Sequence, residues 1–231
     1  MNRTEPTTPM EMAKYVITSL IEADVTAEDI AHFVDEIKPF SLVSFAVDLP
    51  YISLAVDLLK DVPTQVTAVC SYPLGGMTTE VKLEQVKYAR QQGAYDIDVS
   101  MNYLAIKSGD FSTVEEEVRR LVDAAGDLKI VVVPQVTILT NDEKARTCEA
   151  VLKGGCKTIK TASGFGWKTE VEDVLFIKRL FGDAIHIEAS GSVRTKQQAL
   201  AMIEAGAESV HTSTVFQVLG IDKTPVNTKK E

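Results

Sequence analysis

The stretch TTEVKLEQVKYARQQGAYDIDVSM, residues 78–101, joins two patterns that recur along the whole chain. Its first part reads as an amphipathic helix. A Thr cap leads in, Glu80 and Lys82 come early, Val81, Leu83, Val86 and Ala89 share one side, and Gly93 closes the segment. Its second part reads as a strand, because side chains alternate between two faces. Asp96, Asp98 and Ser100 fall on one face, and Ile97, Val99 and Met101 on the other.

Outward from this pair, β-rich runs occur at 42–47, 65–72, 95–101, 129–136, 157–163, 185–190 and 209–213, with KYVITSL (14–20) as an eighth. Helical stretches fit 27–38, 51–60, 78–92, 113–125, 141–153, 170–181 and 195–205. Eight strand–helix units in this length predict an α/β fold, a single-domain (β/α)8 TIM barrel. No linker composition divides residues 1–231, so one domain is expected, with 14–219 as the barrel proper and short polar tails. An open doubly wound sheet is the alternative, but the first strand lacks the G-x-G-x-x-G turn of its dinucleotide-binding form.

Composition narrows the function. Thirty-three acids against 24 bases leave a net charge of −9, which argues against nucleic acid or an anionic membrane as main partner. The longest apolar runs, such as IVVV at 130–133, are too short to span a bilayer, and the N-terminal residues lack a signal-peptide core. Cys70, Cys148 and Cys156 have no metal-type spacing and read as reduced thiols, so a cytoplasmic protein is expected.

The same alternation sorts the other strands. Lys160 shares a face with Thr158 and Ala162, Glu188 with His186 and Ser190, and His211 with Ser209 and Ser213. If the apolar faces meet the helices, Asp98, Lys160, Glu188 and His211 converge inside the barrel near its C-terminal mouth, where barrel enzymes place their chemistry. One inward charge fits a structural ion pair as well as a site. Four ionisable groups from four strands are costly to bury for stability alone, and a functional cluster is the expectation.

A lysine in a partly dry pocket loses its proton more easily, and a neutral amine forms a Schiff base with a carbonyl. The resulting iminium lets a C–C bond break or form without metal or cofactor. Asp98 and Glu188 are candidate proton carriers. Gly191, Ser192 and a helix start near Arg194, with the hydroxyls of HTST at 211–214, could take a phosphate, although a tight turn before a helix explains SGS equally well. A metal site from Asp98, His186, Glu188 and His211 is a further reading, but it lacks a compact ligand motif and gives Lys160 no role. Trp167 follows Lys160 in a loop and reads as packing or as part of a lid. KSGD at 107–110 reads as a turn.

Several of these segments, in order, resemble the deoxyribose-phosphate aldolases, the DeoC-like class I group. TIKTASGFG (158–166) is similar to their KTSTGF segment, SYPLGGMTTEVK to GFPLGANTTEVK, and GAYDIDVSMNYLAIKSGD to GADEIDMVINIGALKSGD. The resemblance covers roughly residues 14–219. It implies the (β/α)8 fold and Schiff-base aldol chemistry with no cofactor. By position, Lys160 matches the Schiff-base lysine and Asp98 the proton-moving aspartate. Thr161 adjoins the matched lysine, and Gly164, Gly191, Ser213 and Thr214 fall in phosphate-binding segments. It also implies a homo-oligomer, dimer or higher.

The departures are equally specific. KASGG of the family is EASGS here, so its second active-site lysine is Glu188 and its second loop glycine is Ser192. GTSSG reads HTSTV, with His211 for a glycine, and DHTLLKP reads ITSLIEA. The expectation is therefore a class I aldolase acting on a small aldehyde or sugar phosphate. Its active-site shell would be altered, with Glu188 as acid/base and His211 on substrate. The competing expectation is a catalytically silent relative that binds a sugar phosphate or a partner.

Overall fold

A computed structural model describes residues 6–223. Eight parallel strands close into a barrel in chain order: β1 (Val16–Leu20), β2 (Ser44–Val47), β3 (Gln65–Cys70), β4 (Asp96–Ser100), β5 (Lys129–Val133), β6 (Thr158–Lys160), β7 (His186–Ala189) and β8 (Ser209–Thr212). Around them run α1 (Pro9–Ala13), α2 (Ala27–Ile37), α3 (Ile52–Leu59), α4 (Thr79–Gln91), α5 (Tyr103–Lys107), α6 (Phe111–Ala125), α7 (Asn141–Lys153), α8 (Val171–Phe181), α9 (Lys196–Glu204) and α10 (Val215–Leu219). The TIM barrel expected from the alternation is the observed fold.

Local chemistry sets the element ends. Thr26, Thr140 and Thr195 each accept a hydrogen bond from the amide three residues on, while Asp29, Glu143 and Gln198 reach back to the cap. These capping boxes satisfy amides that have no partner within the helix. Two strands stop earlier than the apolar runs predict. Ser71 (φ 53°) and Gln135 (φ 56°) take the left-handed conformation, which ends the extended ladder just past β3 and β5.

The apolar faces pack outward against the helices. Val16, Phe45, Ala68, Ile97, Val99, Val132, Ile159, Ile187 and Val210 join one core cluster with the helix residues. Three short helices fell below the reach of periodicity: α1, α5 and α10, of five residues each. The first belongs to the stretch expected as a polar tail, yet its Met12 and Ala13 are fully buried. The expected loose tail from Asp222 onward lies mostly outside the described residues. The three cysteines are free and buried, and among the described residues no helix is long and apolar enough to cross a membrane.

One buried ion pair holds the strand that carries Asp98. Lys82 of α4 donates to Glu117 Oε1 of α6 at 2.8 Å, and both side chains are almost fully buried. Glu117 also accepts from the Asn102 amide at 3.1 Å and the Thr79 hydroxyl at 2.9 Å. The carboxylate thus ties two helices to the turn directly after β4. Removing it leaves a buried, unpaired ammonium. Glu117→Ala is expected to cost about 3–5 kcal/mol, read as a lower urea midpoint at neutral pH.

Candidate active site

The side chains inside the barrel come from the polar faces of the strands. Lys160 is the last residue of β6, and its Nζ donates to Asp98 Oδ2 of β4 at 2.6 Å. The two strands are not neighbours, since β5 lies between them. Alternate strands fill the same interior layer of such a barrel, so the pair meets across the axis rather than along a ladder. Both residues are buried, at 0% and 1% exposure. Glu188 is paired with Lys160 in the β6–β7 register, and Asp96 lies one interior position below Asp98. Lys129, the first residue of β5, sends its ammonium to 3.4 Å from Glu188 Oε1 and 3.8 Å from Asp96 Oδ2.

This charge cluster sets its own ionisation. Burial opposes the Lys160 ammonium, but the Asp98 carboxylate outweighs it, with Tyr72 and Glu188 adding to the same side, so the lysine titrates above its usual range. Desolvation is thus overturned by pairing: burial alone eases deprotonation of Lys160, and the carboxylates beside it reverse that. Glu188 goes the other way. Burial first, then the Asp98 and Asp96 carboxylates, push its carboxyl up to about 8. Asp96 is raised to about 6, by burial and then by Asp98. Burial, and secondarily Lys160, drive His211 well below the usual histidine range, so its imidazole is neutral. With three carboxyls facing two ammonium groups, a proton on Glu188 leaves the interior neutral at pH 7.

Above the cluster, at the C-terminal mouth, opens a cavity of about 200 Å³. Hydroxyls dominate its wall: Ser19, Ser163, Ser190, Ser192, Thr212 and Ser213 all line it. Glu22 and Arg194 supply its charges, and Tyr72, Phe165 and His211 its rings. Six buried side-chain polar atoms lack a hydrogen-bond partner among the described residues, and two of them, Asp98 Oδ1 and His211 Nδ1, belong to the barrel interior. Buried polar atoms are seldom left unpaired without a role. Gly191 and Ser192 both take left-handed conformations, φ 105° and 60°. Glycine is required at 191, because a Cβ there would stand 2.9 Å from the Trp167 carbonyl oxygen.

The structure gathers most of the sequence-derived candidates. Asp98, Lys160 and Glu188 share the interior, and Gly164, Gly191, Ser192, His211 and Ser213 line the cavity. Thr161 and Thr214 do not line it. The Thr161 hydroxyl donates to the Ser190 carbonyl and accepts from the Ser190 amide, both at 2.9 Å. Thr214 donates to the Arg194 carbonyl at 3.0 Å. Their roles are to hold the two loops that frame the mouth. His186 begins β7 at the opposite end and is exposed, near Glu208. No group of three or more His, Cys, Asp or Glu side chains among the described residues is placed to hold a metal ion. Phe165, and not Trp167, is the aromatic of the β6–α8 loop that lines the cavity.

Sequence reasoning missed four contributors. Tyr72 places its ring centroid 5.4 Å from Lys160 Nζ and its hydroxyl on the Ser163 carbonyl, and it stacks edge-on with Phe165 at 5.8 Å. Gln135 accepts from the Ser163 amide at 2.7 Å and donates to the Ser163 hydroxyl at 3.3 Å, pinning the loop after Lys160. Both sit just past a strand end, where alternation no longer assigns a face. Asp96 shares the inward face of Asp98, so its signal was present in the strand pattern. Lys129 opens its strand at the far end of the barrel and carried no such signal.

No family model matches the chain. It is 33% identical over 219 residues to a deoxyribose-phosphate aldolase of Caldicellulosiruptor saccharolyticus, covering 93% of this chain and all of that one. It is 36% identical over 211 residues to the deoxyribose-phosphate aldolase of a Geobacillus species, covering 90% of this chain and 94% of the other. The tetrameric deoxyribose phosphate aldolase of Aeropyrum pernix superposes with a TM-score of 0.86 at 22% identity, covering 94% and 92% of the two chains, a likeness of fold. Shared sequence over nearly the full length, on a barrel whose strands bring Lys160 and Asp98 together, places the chain in the deoxyribose-phosphate aldolase family.

Proposed function

We propose that this protein is a class I aldolase that makes or breaks a C–C bond in a small aldehyde or sugar phosphate, through a Schiff base on Lys160. The observation that carries this reading is the buried Lys160–Asp98 contact at 2.6 Å beneath a hydroxyl-lined cavity. A cavity of about 200 Å³ suits a small substrate. Arg194 and the backbone turned out at Gly191 and Ser192 favour an anionic end on it. Glu22 at the same mouth counters that charge, which fits an altered substrate relative to the family pattern.

The chemistry starts from an ammonium. Lys160 passes a proton to Asp98, and the freed amine adds to the substrate carbonyl carbon. The carbonyl oxygen takes the proton of Glu188, and the nitrogen returns one to it, giving a neutral carbinolamine. Asp98 then protonates the hydroxyl, which leaves as water, and a protonated imine remains on Lys160. That cation takes the place of the ammonium opposite Asp98, so the charge balance of the interior is unchanged. In the cleavage direction the iminium accepts the electron pair of the breaking C–C bond and becomes a neutral enamine, as the departing fragment's hydroxyl gives its proton to the Asp98 carboxylate, directly or through water, and becomes a carbonyl. His211, neutral and with Nδ1 free, accepts a hydrogen bond from a substrate hydroxyl. We place the enzyme in the cytoplasm as a homo-oligomer. Its buried free thiols and the tetrameric relative support that assignment.

One observation favours the second reading, a silent binding protein: Asp98 holds Lys160 charged at rest. Borohydride trapping separates the two. With acetaldehyde or deoxyribose 5-phosphate present, reduction should leave a mass adduct on the Lys160 peptide, absent in Lys160→Ala. A folded wild type that gives no adduct with any carbonyl in a panel overturns the aldolase reading.

Glu188 generates a second prediction. As an acid with a pKa of about 8, it is active below that pH, and kcat/KM should fall as pH rises through it. Glu188→Gln should lower kcat/KM by about 10²–10⁴ and abolish that limb. Stability follows the same linkage. Between the ordinary value of 4.5 and about 8 the folded chain holds a proton the unfolded chain has lost, so stability falls as pH rises across this window. Urea midpoints of Glu188→Gln should show a shallower decline than wild type between pH 6 and pH 8, a range set by Asp96 and Glu188.

A further inference from the structure

The geometry points to Lys129 as a positioning residue that sets when Glu188 carries its proton, acting from the N-terminal end of the barrel, opposite the substrate mouth. The inference rests on the proposed role of Glu188 as the acid/base.

Lys129 spans the floor of the barrel. Its Cα is paired with Asp96 at the start of β5, and its Nζ lies 3.4 Å from Glu188 Oε1 and 3.8 Å from Asp96 Oδ2. Its side chain is 41% exposed, whereas those two carboxyls are 8% and 5% exposed. Lys129 also lines a cavity of about 250 Å³ on the N-terminal face, with Cys156, Lys157 and Thr158. One side chain therefore touches both solvent and the interior carboxyls, at the end of the barrel opposite the hydroxyl-lined cavity.

The groups facing Glu188 come from four strands: Asp96 and Asp98 from β4, Lys129 from β5, Lys160 from β6 and His211 from β8. Lys160 is committed to Asp98 at 2.6 Å. His211 is neutral. Lys129 is the cation within hydrogen-bond reach of Glu188. Lys160 answers to Asp98, so the ionised form of Glu188 depends on Lys129 for its counter-charge. Removing that charge favours the protonated acid, which raises its pKa. An arginine keeps the charge and the reach.

The test reads Glu188 directly. Glutamate labelled with ¹³C at the side-chain carboxyl, with the Glu188 signal assigned by its loss in Glu188→Gln, is titrated by NMR in wild type, Lys129→Met and Lys129→Arg. The Glu188 transition should move up by roughly one unit or more in Lys129→Met and return toward wild type in Lys129→Arg. If Lys129→Met does not fold, Lys129→Gln keeps polarity without charge and should show the same upward shift. An unmoved transition in a folded uncharged variant, or equal shifts in the arginine and uncharged variants, overturns the inference. The pH limb of kcat/KM is measured alongside. A Glu188 transition that shifts while the limb stays fixed preserves the role of Lys129 and removes Glu188 from the proton transfer, which separates the two failures.

Discussion

Two opposite charges with almost no access to water, Lys160 and Asp98, constrain everything around them. An isolated charge in such a place is prohibitively costly, and a pair is tolerated only with close geometry and support for its remaining valences. The barrel meets this requirement by symmetry of construction. Strands two apart contribute to one interior layer, so an inward lysine at the end of β6 finds an inward aspartate on β4 without distorting either ladder. The interior around them is then a balance of three carboxyls and two ammonium groups, and the surplus carboxyl takes a proton. A protonated carboxyl in the barrel interior follows from that balance of burial and charge.

The polar contacts away from the cluster keep this arrangement in place. Glu117 anchors the turn after β4, Gln135 anchors the loop after β6, and Thr161 bonds both amide and carbonyl of Ser190 at the end of β7. Each of these side chains fixes backbone just after a strand that carries Asp98, Lys160 or Glu188. The loops at the mouth are held by these bonds, while Asp98 Oδ1 and His211 Nδ1 remain unpaired in the barrel interior.

Desolvation alone predicts an acidic lysine, and desolvation with a carboxylate at 2.6 Å gives the reverse. Lys160 is therefore held as its ammonium at rest, next to a carboxylate that can take its proton. Where the family pattern has a second lysine, Glu188 places a carboxyl raised by burial and by its carboxylate neighbours.

The sequence by itself determined the architecture. Alternation along each strand separates the apolar face, which packs on helices, from the polar face, which lines the barrel, and this period-2 rule is local. It placed Asp98, Lys160, Glu188 and His211 inside, and the order of segments carried the family. Only the tertiary structure decided how those groups ionise, because a pKa depends on distances between strands far apart in the chain, as between Lys160 and Asp98, or Lys129 and Glu188. It also decided which loop residues reach the cavity. Tyr72 and Gln135 lie beyond strand ends, where left-handed residues at 71 and 135 turn the backbone and the alternation rule stops. For Thr161 and Thr214, nearness in sequence to the reactive lysine and the last strand suggested ligand contacts. Hydrogen bonding to neighbouring carbonyls, visible only once the loops are packed, turned both hydroxyls to framework instead.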